Sequence, residues 1–118
     1  MKILCVDDDP RLLRLLREEF EDDGYEIIIA ANGEIALKQF EREVPDLVTL
    51  DILLPDTDGI KLLKRMKEAR PQIPIIMFTA YEYRDDFAVW INDAYLFKSS
   101  DLTELKSTVK KLLTSKGG

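Results

Sequence analysis

The sequence contains no histidine among its 118 residues. Without this residue type the chain cannot carry a histidine-based catalytic triad, a histidine metal site or histidine acid–base catalysis. It has a single cysteine, Cys5, so no disulfide can form within the chain, and a reducing compartment such as the cytoplasm is expected. No apolar stretch approaches the roughly 20 residues of a membrane-spanning helix, and the N-terminal apolar run is shorter than that of a signal peptide.

Glycine is scarce as well. The five glycines stand at positions 24, 33, 59, 117 and 118, and none forms a phosphate-cradling loop. This argues against nucleotide binding of the usual kinds. Lysine and arginine number 17 against 23 aspartates and glutamates, so the net charge is −6. That balance argues against nonspecific binding to nucleic acid or to anionic membranes.

Short apolar runs recur along the chain and predict five strands. The runs are nearly continuous rather than alternating, as is typical of strands buried on both faces of a parallel sheet. They lie at 3–6, 27–30, 47–50, 73–78 and 94–97. No linker or repeat interrupts them, and we therefore expect one domain over residues 1–118.

Helical patterns separate the strands. They open at Pro10, run from about Gly33 to Arg42, follow Asp58 as a helix cap, span roughly 84–92, and begin again at Asp101. The result is five β–α units. This alternation predicts a three-layer α/β sandwich, with a doubly wound parallel sheet covered by helices on both faces.

Polar side chains collect where the predicted strands end, which is where ligands bind in sheets of this kind. The residues are Asp7, Asp8 and Asp9 after the first strand, Asp51 at the end of the third, Thr79 after the fourth and Lys98 after the fifth. Because parallel strands end at the same edge, these side chains are expected to lie close together.

Each of these residues also has a purely structural explanation. Asp8 or Asp9 could cap the first helix, and Lys98 could be a solvated loop charge. Asp51 is harder to explain in this way, because a carboxylate among apolar residues is costly unless it is paired or bound to a metal. The coincidence of all these positions favours a functional site.

The residue types indicate the chemistry of that site. Clustered carboxylates without histidine or cysteine suit a hard cation such as Mg²⁺. A metal-loaded carboxylate facing Lys98 and the Thr79 hydroxyl resembles a clamp for a phosphoryl group, and an aspartate can be the covalent acceptor. Since the chain has neither a histidine nor a nucleotide loop, it would receive the phosphoryl group from another molecule.

Four motifs resemble the receiver domain of two-component response regulators, the CheY-like family. They are "VDDDP" at 6–10, "LDILLPDTDG" at 50–59, "FTA" at 78–80 and "YLFK" at 95–98. They occur in the family's order and span nearly the whole chain. The resemblance implies a five-stranded parallel sheet of order 2-1-3-4-5 and a role in cytoplasmic signal transduction.

The resemblance also assigns an acceptor and a cation site. It implies that Asp51 takes the phosphoryl group from a histidine kinase or phosphotransfer protein in a Mg²⁺-dependent reaction. Asp8 and Asp51 would bind the Mg²⁺ directly with the backbone carbonyl of Leu53, and Asp7 largely through water. Such a chain phosphorylates and dephosphorylates itself at most, and no turnover of an external substrate is expected.

Further roles follow from the same resemblance. Thr79, the amide of Ala80 and Lys98 would hold the phosphoryl oxygens, and Tyr95 would turn inward as Thr79 moves toward the phosphate. The face formed by the fourth helix, the fifth strand and the fifth helix would carry the signal to a downstream target. No direct contact with nucleic acid or membrane is implied.

The sequence departs from the family after Lys98, where Ser99 replaces a proline that follows a cis peptide bond. A cis bond to a non-proline residue costs roughly 3 kcal/mol more than a trans bond, so this loop is expected to have a different shape. One alternative is therefore a degenerate receiver that acts as an interaction module without phosphorylation. Another is a small aspartate-nucleophile phosphatase, in which Asp7 and Asp9 would form the catalytic pair.

Overall fold

The computed structural model describes residues 1–80, 93–98 and 102–117. Its strands are β1 (Lys2–Val6), β2 (Glu26–Ala30), β3 (Leu47–Leu50), β4 (Ile75–Thr79) and β5 (Ala94–Phe97). Its helices are α1 (Pro10–Asp22), α2 (Gly33–Glu43), α3 (Gly59–Ala69) and α4 (Thr103–Gly117). The helix predicted at 84–92, Ser99 and Asp101 lie outside the described residues, so α4 corresponds to the fifth predicted helix.

All five strands join one parallel sheet in the order β2-β1-β3-β4-β5. This confirms the predicted fold class and strand order. The central strand β1 pairs with β2 on one side and β3 on the other, and the register places Val6 beside both Ala30 and Leu50. The carboxyl ends of β1, β2 and β3 therefore lie at the same height in the sheet.

Two hydrophobic clusters cover the two faces of the sheet. One joins alternate strand residues, such as Leu4 and Val6, to buried side chains of α2 and α3. The other joins Ile3 and Cys5 to buried side chains of α1 and α4. Burial raises the pKa of the Cys5 thiol to about 12, which keeps it protonated and unreactive. No helix in the described ranges has the length and apolar character that crossing a membrane requires.

Aspartate and asparagine caps begin the helices that follow the first three strands. Asp9 accepts a hydrogen bond from the Arg11 amide at 2.9 Å, and Pro10 stands in the first turn of α1. Asn32 caps α2, and Asp58 caps α3 by accepting from the Ile60 amide at 2.6 Å. These caps satisfy amides that have no partner within a helix, so each chain segment turns sharply at the carboxyl edge of the sheet.

Gly59 allows α3 to begin directly against the end of β3. A Cβ atom at this position would lie 2.0 Å from the carbonyl oxygen of Asp51 and 2.9 Å from the Cα atom of Ile52. The Gly59 amide donates to the carbonyl of Ile52 at 2.7 Å. The backbone that carries Asp51 is therefore held in place by a contact that admits only glycine.

The substitution Gly59→Ala tests this contact. Alanine normally stabilises a helix by about 1 kcal/mol relative to glycine. Here the added methyl group must displace backbone atoms, and we expect the free energy of unfolding to fall by roughly 2–3 kcal/mol, as overpacking does. Urea denaturation measures the loss, and the amide chemical shift of Asp51 reports the displacement.

Gly24→Ala is the matched control for this experiment. Gly24 has φ +93° with no atom within 4 Å of an added Cβ, so alanine there meets only the left-handed backbone penalty of about 1–2 kcal/mol. Its substitution should leave the Asp51 amide unchanged. Wild-type stability in Gly59→Ala would show that α3 does not press on β3 as described.

Candidate functional site

Backbone pairing brings four strand ends to one place. The Asp7 amide donates to the carbonyl of Ala30, and the Asp51 amide donates to the carbonyl of Val6, each at 3.1 Å. Farther along the edge, the Lys98 amide donates to the carbonyl of Thr79 at 2.8 Å. The sheet therefore extends by one residue past β1, β3 and β5, and these residues are Asp7, Asp51 and Lys98, whereas Thr79 is the last residue of β4.

Three carboxylates cluster at this edge. Asp7, Asp8 and Asp51 each offer an oxygen, and these oxygens lie within 4.8 Å of one another. Asp7 and Asp51 are almost completely buried, at 2% and 3% exposure, whereas Asp8 is exposed. The cluster is thus accessible to solvent at Asp8, while its other two carboxylates are buried.

Lys98 bridges the two buried carboxylates. Its Nζ atom lies 2.6 Å from Oδ2 of Asp7 and 2.8 Å from Oδ2 of Asp51. Its side chain is only 22% exposed. Lys98 is therefore part of the site and not a solvated loop charge. The sequence prediction placed it against phosphoryl oxygens, and its pairing with both carboxylates was not anticipated.

The second oxygen of Asp51 is in a different situation. Oδ1 is buried and, among the residues that the structure describes, no group donates a hydrogen bond to it. A buried acceptor without a partner is uncommon and destabilising, and it points to a bound cation or a reacting group. The clustered carboxylates of Asp7, Asp8 and Asp51 fit Mg²⁺, which prefers such hard oxygen ligands.

The pKa values of the paired groups follow from burial and charge. Burial raises the pKa of Asp7, although hydrogen bonds from Lys98 and the Asp9 amide oppose the shift. Burial alone would lower the pKa of Lys98, but its hydrogen bonds to Asp51 and Asp7 outweigh that effect and raise the pKa above its ordinary value. Lys98 is therefore a permanent cation at neutral pH.

Asp9 does not join the carboxylate cluster. Its carboxylate caps α1, and its amide donates to Oδ1 of Asp7 at 2.9 Å. Asp9 therefore orients Asp7 through the backbone while its own side chain is occupied elsewhere. The Asp7–Asp9 pair required by the phosphatase alternative is not assembled in the described structure.

The remaining predicted residues lie in or just after β3, β4 and β5. Thr79 is fully buried at the end of β4, and Ala80 follows it at the surface. Leu53 is 50% exposed and forms an isolated bridge with Asp58. Tyr95 is half-buried in β5, with its ring edge-to-face against Phe97 at 5.6 Å. The roles expected of these four residues stay predictions.

Two residues at the junction between β3 and α3 were missed by the sequence interpretation. Gly59 holds the Asp51 backbone, and Asp56 accepts hydrogen bonds from the amides of Gly33 and Glu34. Both belong to the "LDILLPDTDG" motif. The motif signalled their importance as a group, but their separate contacts depend on how α2 and α3 approach the loop.

Known proteins are similar to this chain in sequence. The profile of the "Response regulator receiver domain" family matches residues 3–110. Sporulation initiation phosphotransferase F of Bacillus subtilis is 40% identical over an alignment of 122 positions, which covers 98% of this chain and 95% of that protein. The alkaline phosphatase synthesis transcriptional regulatory protein PhoP of the same organism is 38% identical over 115 residues, 95% of this chain.

Solved structures agree with this result. Response regulator TrrA of Thermotoga maritima, determined in complex with Mg²⁺-BeF, is 45% identical, with a TM-score of 0.89 over 94% of this chain and 97% of that one. TrrA in complex with histidine kinase ThkA gives 43% identity and a TM-score of 0.88 over 95% and 97%.

The chain belongs to the response regulator receiver domain family. It spans about half of PhoP, 48% of that protein's length, and nearly all of phosphotransferase F. The family of the domain is thus established, while the activity of any longer protein is a separate question.

Addition of MgCl₂ should raise the melting temperature, because only the folded protein assembles the cluster. At a concentration 100 times the Kd the stabilisation is about 2.7 kcal/mol. Asp8→Ala should reduce this increment. Asp9→Ala should keep it while lowering the metal-free stability by about 1 kcal/mol through loss of the α1 cap. Differential scanning calorimetry with and without MgCl₂ measures both effects, and loss of the increment in Asp9→Ala alone would contradict this assignment.

Replacing Lys98 by methionine should destabilise the metal-free protein, because two buried carboxylates lose their counterion. Breaking a fully buried pair costs about 3–5 kcal/mol, and the partial exposure of Lys98 reduces our expectation to roughly 2–3 kcal/mol. Mg²⁺ should recover much of this loss, so its stabilising increment should exceed that of the wild type. Lys106→Met, which breaks surface ion pairs to Glu19 and Asp23, is the control and should show the ordinary increment. An unchanged stability in Lys98→Met would refute the bridging role.

Proposed function

We propose that Asp51 accepts a phosphoryl group and that the resulting aspartyl phosphate is the signalling state of this domain. The observation that carries the proposal is the asymmetry of the Asp51 carboxylate. Oδ2 is paired with Lys98, while Oδ1 is buried without a hydrogen bond from the described residues. Oδ1 thus has an electron pair available to attack phosphorus.

Transfer of the phosphoryl group breaks a bond in the donor as it forms one to Asp51. Oδ1 of Asp51 forms the new O–P bond as the P–N bond of a phosphohistidine breaks, and the leaving imidazole takes up a proton. The chain has no histidine, so the donor belongs to another molecule: a histidine kinase or a phosphotransfer protein. The determination of TrrA with histidine kinase ThkA supports a kinase as the partner.

The residues around Asp51 are suited to this reaction. Lys98 carries its positive charge 2.8 Å from Oδ2, where it stabilises negative charge on an incoming phosphoryl group. We assign the Thr79 hydroxyl and the Ala80 amide as donors to the other phosphoryl oxygens. Asp7, Asp8, Asp51 and the Leu53 carbonyl would hold Mg²⁺, which when bound neutralises phosphoryl oxygens. TrrA with Mg²⁺-BeF supports this choice of cation.

The signal would be read on the surface around β5 and α4, with Thr79 and Tyr95 as the switch pair. Part of this surface lies outside the described residues.

We further infer that residues 1–118 form one receiver domain and act in the cytoplasm, in keeping with the single buried cysteine. The target is unknown. No turnover of an external substrate is expected, since the domain modifies only itself.

A degenerate, phosphorylation-independent receiver is the main alternative, because Ser99 follows Lys98. The position of Lys98 argues against it, since the ammonium reaches both buried carboxylates despite the serine. The phosphatase alternative is weakened by Asp9, whose carboxylate caps α1 instead of facing Asp7.

Incubation with acetyl phosphate and MgCl₂ should add one phosphoryl group per chain. Asp51→Asn should abolish the modification, because the amide is a poor nucleophile, and removal of Mg²⁺ by chelation should do the same to the wild type. Asp9→Asn, which keeps an oxygen to cap α1, is the control and should be modified normally. Intact-protein mass spectrometry measures the stoichiometry. Turnover of a generic phosphate ester such as p-nitrophenyl phosphate would favour a phosphatase, and failure of the folded, Mg²⁺-loaded wild type to be modified would favour a degenerate receiver.

A further inference from the structure

A carboxylate clamp joins the loop after β3 to the start of α2. Oδ1 of Asp56 accepts from the Gly33 amide at 2.8 Å, and Oδ2 accepts from the Glu34 amide at 3.0 Å. These are the first two residues of α2, whose amides have no partner inside the helix. The next amide, that of Ile35, donates to the side chain of Asn32 at 2.8 Å. The helix is thus capped twice, once locally by Asn32 and once from a distant loop by Asp56.

The contact between loop and helix is tight. A Cβ atom on Gly33 would lie 2.3 Å from Cγ2 of Thr57 and 3.3 Å from Oδ1 of Asp56. The hydrogen bonds from the Gly33 and Glu34 amides also lower the pKa of Asp56, so its carboxylate is charged at neutral pH. A negative charge at the N-terminus of a helix is stabilising.

The same loop is fixed at its base beside Asp51. The Gly59 amide donates to the carbonyl of Ile52 at 2.7 Å, and Leu53 forms an isolated bridge with Asp58. These contacts close residues 52–59 into a compact loop, and Asp56 lies at its tip. The loop therefore has two attachments: one at its base to β3 and α3, and one at its tip to α2.

We propose that Asp56 is a positioning residue for the cation and phosphorylation site. This inference rests on the proposed function, in which the Leu53 carbonyl is a cation ligand. Asp56 does not belong to the carboxylate cluster of Asp7, Asp8 and Asp51, and its two oxygens accept from the amides of α2. By holding the tip of the loop it fixes the Leu53 carbonyl relative to Asp51. Without the clamp, the hydrogen bonds that tie the tip of the loop to α2 would be lost, and the site would bind the cation less tightly.

Asp56→Ala and Asn32→Ala form a matched pair, because each removes one cap from the same helix and only Asp56→Ala releases the loop. Calorimetric titration with MgCl₂ should show roughly tenfold weaker binding in Asp56→Ala, at the low end of what groups orienting metal ligands contribute. Asn32→Ala should bind Mg²⁺ as the wild type does. Asp56→Asn keeps one acceptor oxygen and should give an intermediate affinity. It also serves as the test if the alanine variant does not fold.

Amide hydrogen exchange of the metal-free proteins provides a second readout. Amides of residues 52–58 should exchange faster in Asp56→Ala than in the wild type, whereas Asn32→Ala should affect only the start of α2. Equal effects of the two variants on Mg²⁺ affinity and exchange would make Asp56 an ordinary helix cap and overturn the inference. An absence of Mg²⁺ binding in the wild type would instead overturn the proposed function. Acceleration of exchange without any loss of affinity would show that the loop is held by Asp56 but does not position the site, which also overturns the inference.

Discussion

The structure of the site depends on one electrostatic constraint, the burial of two carboxylates beside each other at the edge of the sheet. Asp7 and Asp51 are 2% and 3% exposed, and their negative charges would repel strongly because burial lowers the local dielectric constant. Lys98 contacts both, and the pairing offsets part of the cost. When all three carboxylates of the cluster are ionised, one ammonium still leaves two negative charges unbalanced. A divalent cation matches that deficit.

The surrounding fold holds these charges in place against their repulsion. The ends of β1 and β3 are joined to their neighbours by backbone hydrogen bonds, so neither Asp7 nor Asp51 can retreat. The Asp9 amide fixes one oxygen of Asp7, and Gly59 presses against the carbonyl of Asp51. The two hydrophobic clusters anchor the sheet from both sides. The stability of the packed layers thus supports a locally unfavourable concentration of charge, as is common where function requires it.

Much of this arrangement could be predicted from local sequence patterns. Continuous apolar runs identified the strands, and the position of Asp7, Asp51 and Lys98 directly after such runs placed them at one edge. The strand order came from the family resemblance, since alternation of strands and helices alone does not determine it. The local sequence also indicated the helix caps at Asp9 and Asp58, because a capping side chain accepts from an amide only a few residues further along the chain.

Contacts between segments distant in sequence could not be predicted in the same way. The contact of Lys98 with both Asp7 and Asp51 depends on how far β1, β3 and β5 extend relative to one another, and no local sequence pattern determines this. The clamp of Asp56 joins residues 22 and 23 positions apart, and it exists only because α2 begins beside the loop.

The central claim is that Asp51, and not its neighbours in the cluster, carries the phosphoryl group. Borohydride reduction of the phosphorylated protein converts an aspartyl phosphate to homoserine, and peptide mass spectrometry then locates the converted residue. Conversion confined to position 51 is the result expected, because Oδ1 of that residue is buried and no group in the described part of the chain donates a hydrogen bond to it. Conversion at Asp7 or Asp8, or the absence of any acyl phosphate in folded, Mg²⁺-loaded protein, would contradict the account.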